Sequence, residues 1–176
     1  MLTRRAALPA ATVAMASAAI ADRLGRVVEF SAAKFLCAYV SQGNEVVTHG
    51  LIRQVLARGG RVSVPIFQQG RYGTAEIRDF DADLQPGHRG ILEPTVAQPG
   101  GEPAVWLVPG VAFDEQGHRL GHGKGYFDRL LEGATGLKIG LAFDFQVVGA
   151  VPVALHDVRL DYIITEKRTV KGTKHE

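Results

Sequence analysis

Apolar residues recur along the chain with two spacings, one typical of helices and one of strands. The helical spacing first occurs at Val13, Ser17, Ile20 and Leu24, which predicts a first helix with these residues on one face. A second helix is predicted over residues 48–58, with Thr48 near its N-cap and two glycines after its end. Apolar runs bounded by Gly or Pro predict strands over residues 34–40, 61–65, 74–80, 104–108, 138–143 and 161–165, with 151–155 as a further candidate.

The order of these elements predicts the fold class. Strands separated by helices imply an α/β sandwich built on a largely parallel sheet. Because 176 residues suffice for one substantial core, we expect residues 1–176 to form a single domain. Residues 81–101 are rich in Pro and Gly and are predicted to be mostly loop. Ligands of α/β folds bind beyond the carboxyl ends of strands, which makes the segment after residues 104–108 the first candidate for a site.

That segment, residues 109–128, combines glycines with cations. The glycines alternate with other residues in the order Gly121, His122, Gly123, Lys124 and Gly125. Glycine allows positive φ and a close approach of backbone N–H groups to an anion, while Arg119 and Lys124 add positive charge suited to phosphate. The spacing matches neither a Walker A loop nor the dinucleotide fingerprint. A phosphate-binding loop and a solvated glycine-rich turn are therefore both possible interpretations.

A short helix is predicted immediately after the glycines, over residues 126–131. The N-terminal amides of such a helix would face an anion bound by the loop. Asp128 lies in its first turn, and a carboxylate beside polyphosphate suits Mg²⁺, which takes one or two protein carboxylates and completes its shell with water and phosphate oxygens. If the loop binds phosphate, the sequence thus indicates a magnesium-phosphate site.

Composition and charge narrow the class of partner. A formal net charge of +2, with no basic cluster interleaved with aromatic residues, argues against nucleic acid and favours a small anionic ligand. No stretch is long and apolar enough to suggest a membrane span. Cys37 is the only cysteine and lies in an apolar run, so we expect it to pack in the core of a cytoplasmic protein. Trp106, also in an apolar run, is expected in the core.

The N-terminus admits two interpretations. Arg4 and Arg5, followed by an alanine-rich stretch with Ala-Ser-Ala at residues 16–18, resemble a twin-arginine export signal. The helical spacing that continues through residues 22–24 instead favours an ordinary helix.

Four segments together resemble the 5-formyltetrahydrofolate cyclo-ligase family, also called methenyltetrahydrofolate synthetases. They are GNEVVT at 43–48, GILEP at 90–94, LVPGVAFDEQGHRLGHGKGYFDRLL at 107–131 and HDVRLDYIITE at 156–166. The resemblance implies a three-layer α/β fold and an enzyme that uses ATP and Mg²⁺ to convert 5-formyltetrahydrofolate to 5,10-methenyltetrahydrofolate, ADP and phosphate. It also implies small-molecule partners only, reduced folate and ATP, and we expect a monomer.

The resemblance assigns roles by position. It implies catalytic roles for Arg119, Lys124 and Tyr126, and magnesium binding by Asp128 and Asp157. The nucleotide-binding positions that it implies are Arg119, Gly121, His122, Gly123, Lys124, Gly125, Tyr126 and Phe127. The folate-binding positions that it implies are Val40, Glu45, His122, Lys124 and Tyr126, with Glu45 contacting the pterin ring.

Departures from the family leave other functions open. The family has a Lys and an Arg, four residues apart, that hold ATP phosphates, and the alignment leaves both before Met1 unless Arg4 or Arg5 substitutes. A non-catalytic folate- or nucleotide-binding relative is therefore an alternative. A third hypothesis is a metal-dependent hydrolase built from the His and Asp residues, with His118, His122 and His156 as candidate zinc ligands.

Overall fold

Seven strands form one mixed sheet at the centre of the protein. The structure is a computed structural model that describes residues 1–68, 70–87, 92–95, 98, 100–123, 125–154 and 156–173. Its helices are α1 (Leu2–Ala6), α2 (Ala10–Leu24), α3 (Val28–Ala32), α4 (His49–Ala57) and α5 (Tyr126–Leu131). Its strands are β1 (Phe35–Ala38), β2 (Arg61–Gln68), β3 (Arg71–Ile77), β4 (Leu84–Pro86), β5 (Leu92–Pro94), β6 (Val105–Val108), β7 (Ala112–Asp114), β8 (Arg119–Leu120), β9 (Leu137–Leu141), β10 (Val147–Val148), β11 (Tyr162–Ile164) and β12 (Thr169–Lys171).

The large sheet is parallel at its centre and antiparallel at both edges. Its order is β12-β11-β9-β6-β1-β2-β3, with β11, β9, β6, β1 and β2 parallel to one another. The edge strands β3 and β12 run antiparallel to their neighbours. Every residue of β1 and β6 is buried, as expected for central strands covered on both faces.

Helices cover both faces of the sheet, so the protein has three layers. On one face, α2 and α4 pack with strand residues such as Leu36 and Leu107. On the other face, Leu131 of α5 packs with the alternate residues Cys37 and Trp106. This arrangement confirms the predicted α/β sandwich with a largely parallel sheet, and it also confirms that Cys37 and Trp106 are core residues.

The two amphipathic helices form where the spacing predicted them. In α2 the buried residues are the four expected from the pattern, Val13, Ser17, Ile20 and Leu24. Thr48 is the N-cap residue of α4, but its side chain makes no capping hydrogen bond and bonds to the loop after β1 instead. Its Oγ1 donates to the Tyr39 carbonyl (2.7 Å) and accepts from the Ser41 N–H (3.1 Å). The buried Thr48 therefore fixes the loop after β1 against the start of α4.

Several strands differ from the prediction. β2 extends to Gln68 because it pairs with β3 as a long hairpin up to Gln68 and Arg71. Residues 81–101 contain the short pair β4 and β5. β7, β8 and β10 form a small separate sheet inside and after the glycine-rich segment. The candidate strand at 151–155 is wrong for residues 151–154, which have no regular secondary structure, and its last position lies outside the described residues.

No helix among the described residues has the length and apolar character required to cross a bilayer.

Candidate active site

A cleft opens where the loop after β1, helix α1 and the glycine-rich segment meet. Its volume is about 290 Å³. The residues that line it are Leu2, Arg5, Ala6, Gln42, Gly43, Asn44, Glu45 and His122. It lies beyond the carboxyl end of β1, which is where a parallel sheet places its ligands.

Glu45 supplies the carboxylate of this cleft. Its side chain is only 12% exposed, Oε2 accepts from the Gln42 N–H (3.1 Å), and Oε1 lies 3.8 Å from Nη2 of Arg5. Burial raises the pKa of the Glu45 carboxyl above its ordinary value, while the Gln42 N–H, Arg5 and His122 oppose that rise. His122 lines the same cleft as Glu45, so the glycine-rich segment reaches the loop that carries Glu45.

The glycine-rich segment has the left-handed backbone that its sequence suggests at two of its three alternating glycines. Gly123 has φ +79° and Gly125 has φ +58°, and among the described residues no heavy atom lies within 4 Å of a Cβ built on either. Gly121 does not use this freedom, because its φ is not in the left-handed region. Lys124 lies outside the described residues. The described neighbours thus leave open space beside the backbone at Gly123 and Gly125.

Arg119 and Asp128, which flank this loop in sequence, form a largely buried ion pair. Nη2 of Arg119 donates to Oδ1 of Asp128 at 2.6 Å, and the two side chains are 3% and 16% exposed. Nη1 of Arg119 donates to the Pro109 carbonyl at 3.4 Å. Within the described part of the chain, the buried Nε has no hydrogen-bond partner. Asp128, the expected magnesium ligand, is therefore also the counterion of a buried guanidinium.

Tyr126 and Phe127, directly after the glycine-rich loop, pack against further aromatic and cationic side chains. The rings of Tyr126 and Tyr72 meet edge to face with centroids 4.5 Å apart, and the rings of Tyr126 and Phe127 are 5.5 Å apart. Burial raises the pKa of the Tyr126 phenol, and Cys37, Tyr72 and Glu93 raise it further, so Tyr126 stays neutral at physiological pH. Phe127 also lies 5.6 Å from the guanidinium carbon of Arg119.

Two other expected site residues, Val40 and Asp157, contact the core and their own loop respectively. Val40, just after β1, is partly buried and packs against the core on the face covered by α2 and α4. Asp157 accepts from the Ala154 N–H (2.7 Å) and lies 3.9 Å from His156, so both of these contacts are within its own loop. Part of the GILEP segment, residues 90 and 91, lies outside the described residues.

The histidines do not assemble a zinc site among the residues described. His118 is bonded on both ring nitrogens, Nδ1 to Asp114 (3.0 Å) and Nε2 to Nε of Arg159 (2.9 Å). His122 lines the cleft that also contains Glu45. In the described part of the chain, no group of three or more His, Cys, Asp or Glu residues could hold a metal ion. A ligand set made by the protein alone, as zinc requires, is thus missing from these residues.

Two residues of the cleft have roles that the sequence did not reveal. Asn44 donates its side-chain amide to three carbonyls at the end of α1, and Arg5 bridges Glu45 to the Gly110 carbonyl (3.2 Å). Arg4 lies over the ring of Phe145, 4.3 Å from its centroid. The only available sequence signal was the position of Asn44 beside Glu45.

Comparisons with known proteins agree on one family. The model of the 5-formyltetrahydrofolate cyclo-ligase family matches residues 1–166. A probable 5-formyltetrahydrofolate cyclo-ligase of Caenorhabditis elegans is 34% identical over 158 residues, which cover 80% of this chain and 77% of that protein. The 5-formyltetrahydrofolate cyclo-ligase of Escherichia coli K12 is 30% identical over 142 residues, covering 76% and 78%.

A solved structure extends this agreement to the fold. The NMR structure of Aquifex aeolicus 5,10-methenyltetrahydrofolate synthetase has a TM-score of 0.87 and 32% sequence identity, covering 99% of this chain and 92% of the other. The relatives are named as ligases, and the sequence and the fold point to the same group. This chain belongs to the 5-formyltetrahydrofolate cyclo-ligase family.

Proposed function

We propose that the protein converts 5-formyltetrahydrofolate to 5,10-methenyltetrahydrofolate in a reaction that consumes ATP, requires Mg²⁺ and releases ADP and phosphate. The observation that carries the proposal is the meeting of Glu45 and His122 in one cleft. Glu45 is the residue that family resemblance assigns to the pterin, and His122 belongs to the loop assigned to the nucleotide. Their proximity supports a site that binds both substrates side by side.

The proposed chemistry requires no nucleophile from the protein. The formyl oxygen attacks the γ-phosphorus, and the bond from that phosphorus to the oxygen of ADP breaks. N10 of the folate then attacks the activated carbon, its proton is lost, and the carbon–oxygen bond breaks as phosphate leaves. Such a reaction depends on positioning and on neutralising phosphate charge.

The described residues suit those two tasks. Glu45 would accept hydrogen bonds from the pterin, and Val40 would give an apolar contact beside it. The open left-handed backbone at Gly123 and Gly125 allows phosphate oxygens to approach the loop formed with Gly121 and Lys124. The neutral Tyr126 would donate a hydrogen bond between the nucleotide and the formyl group.

The residues at Asp128 also fit magnesium. One partly accessible carboxylate directly after a phosphate-binding loop is a donor set that magnesium uses when phosphate and water complete its shell. The ion would neutralise charge on the transferred phosphoryl group. Asp128 would hold it together with Asp157, and Arg119 would orient the Asp128 carboxylate through the 2.6 Å hydrogen bond.

An absorbance assay for methenyltetrahydrofolate tests the proposal. Purified protein is mixed with 5-formyltetrahydrofolate, ATP and Mg²⁺, with controls lacking ATP or Mg²⁺. ATP-dependent product supports the proposal, and no product at high enzyme concentration contradicts it.

Two further measurements separate the alternatives. Tight folate binding by calorimetry without turnover would favour a non-catalytic relative. Zinc in the purified protein, lost together with a hydrolytic activity on chelation, would favour the hydrolase. The proposal also expects small-molecule substrates only, a monomer and a cytoplasmic location.

A further inference from the structure

Helix α1 is held at the cleft by polar contacts. None of its five residues, all of which the structure describes, is fully buried, and none belongs to the hydrophobic core. A helix this short is marginal by itself, and the carbonyls at its end have no partners within the helix. The Asn44 amide donates to the carbonyls of Arg5 (3.0 Å), Ala6 (3.0 Å) and Leu8 (2.9 Å). The residue next to Glu45 in sequence thus closes the end of α1 and places Arg5 over the cleft.

The Arg5 side chain completes a link across the cleft. Nη1 donates to the Gly110 carbonyl (3.2 Å), and Nη2 lies 3.8 Å from Oε1 of Glu45. The Arg5 and Glu45 side chains are 13% and 12% exposed, so solvent screens the attraction between them only partly. Gln146 also donates to the Gly110 carbonyl (3.0 Å), which fixes the acceptor that anchors Arg5.

Three titratable or charged groups face the Glu45 carboxylate from the surrounding elements. Arg5 of α1 lies 3.8 Å from it, and His122 of the glycine-rich segment lines the same cleft. Tyr39, directly after β1, interacts with it electrostatically. Tyr39 is a buried phenol that donates to the Val46 carbonyl (2.9 Å), and burial raises its pKa, so it stays neutral. Arg5 is therefore the one permanent cation among these three groups, and it favours the ionised carboxylate that burial disfavours.

We infer that Arg5 is a positioning residue for the folate: it holds Glu45 ionised and in place against the glycine-rich segment, which makes α1 a wall of the substrate site. This inference rests on the proposed function, because it takes Glu45 to bind the pterin. It differs from a phosphate-binding role for Arg5, since the guanidinium bonds to the carbonyl of Gly110 and faces a carboxylate.

The test compares Arg5→Met with Arg5→Lys and with a matched control. Arg23→Met is the control because Arg23 also extends from an N-terminal helix to two backbone carbonyls, those of Thr165 (3.1 Å) and Glu166 (3.3 Å), but does not line the cleft. Thermal unfolding shows that each variant is folded. Steady-state kinetics then give KM for 5-formyltetrahydrofolate and for ATP across a range of pH.

For Arg5→Met we expect KM for the folate to rise about 10- to 100-fold, the range for losing a hydrogen bond or ion pair to a charged group, with KM for ATP within about twofold. The acidic limb of kcat/KM for the folate should move to higher pH, because without Arg5 the pKa of Glu45 rises further. Arg5→Lys should restore the position of that limb and only part of the affinity, since Lys keeps the charge and loses the fork. Arg23→Met should change neither.

Three results would overturn the inference. The first is an unchanged folate KM and acidic limb in Arg5→Met, and the second is a selective rise in KM for ATP, which would assign Arg5 to phosphate. The third is an equal shift in Arg23→Met, which would make the effect one of general stability. If the wild-type protein neither binds nor turns over 5-formyltetrahydrofolate, the proposed function is wrong and so is this inference. If only the Arg5 variants behave differently from the expectation, the inference is wrong and the proposed function stands.

Discussion

Replacing Asp128 with Asn should damage both the fold and the reaction. The substitution keeps the shape of the side chain and removes the charge that faces Arg119 at 2.6 Å. The guanidinium, 3% exposed, would keep a neutral amide oxygen and the distant Pro109 carbonyl (3.4 Å) as acceptors. A buried cation would thus lose its counterion, which is one of the few changes that cost several kcal/mol.

The expected loss of unfolding free energy is roughly 2–3 kcal/mol. Removing one partner of a fully buried ion pair costs about 3–5 kcal/mol, and the value here is lower because Asp128 is partly exposed and Asn still accepts a hydrogen bond. In a chain of this size the midpoint of thermal unfolding should fall by about 4–12 °C. Turnover should fall by at least about 100-fold, because a metal contributes several kcal/mol of charge stabilisation in phosphoryl transfer.

The exposed pair of Arg53 and Asp81 provides the control. Its nitrogen and oxygen atoms are also 2.6 Å apart, but the side chains are 46% and 73% exposed. Asp81→Asn should therefore leave the unfolding midpoint and the turnover unchanged within error. Thermal unfolding of both variants, and turnover measured well below the lower midpoint, give the comparison. Wild-type turnover in Asp128→Asn would remove its metal role, and equal stability of the two variants would refute the argument from burial.

Three further predictions follow from the site. Gly123→Ala should raise KM for ATP at least about tenfold and lower the free energy of unfolding by roughly 1 kcal/mol, because Gly123 has φ +79°. Gly59→Ala is the control, since Gly59 has φ +78° and does not line the cleft. It should show the same loss of stability in denaturant unfolding and a normal KM for ATP. A normal KM for ATP in Gly123→Ala would contradict a phosphate role for that backbone. Tyr126→Phe should lower kcat about 10- to 100-fold in the steady-state assay without changing the shape of the pH profile, because the phenol is already neutral; unchanged kcat would remove its catalytic role. Burial alone would raise the pKa of Asp114, but hydrogen bonds from His118 and the Val151 N–H lower it below its ordinary value. The Asp114 carboxylate therefore stabilises the fold above about pH 4, its pKa in the unfolded chain, and this stabilisation is lost as pH falls through its pKa in the folded protein. Asp114→Asn should accordingly be less stable than wild type at pH 7, and its stability should approach that of wild type in acid. A constant difference in stability across pH would contradict this.

Sequence periodicity predicted the elements whose burial is regular. The buried face of α2 and the fully apolar β6 follow directly from residue spacing, because each element contributes a whole face to the core. The edge strand β12 has only three residues, two of them exposed, so it has no apolar run to detect. β7 and β8 lie in a segment whose glycines suggested an irregular loop.

The sequence predicted which residue types the candidate site contains, but it did not predict which side chains contact one another. Glycines, cations and Asp128 indicated phosphate and metal, but the pairing of Asp128 with Arg119 depends on how β8 packs beside α5. The link from Asn44 to α1 joins residues more than thirty positions apart through single polar bonds, which leave no periodic pattern. Such contacts become visible only when the fold brings the segments together.

The most direct test of the proposed function is the rate of methenyltetrahydrofolate formation from 5-formyltetrahydrofolate by the purified protein, measured by absorbance with and without ATP and Mg²⁺. We expect product only when both are present, with ADP formed in equal amount. Folate binding without any ATP-dependent product, at high enzyme concentration, would contradict the proposal that this cleft is a catalytic cyclo-ligase site.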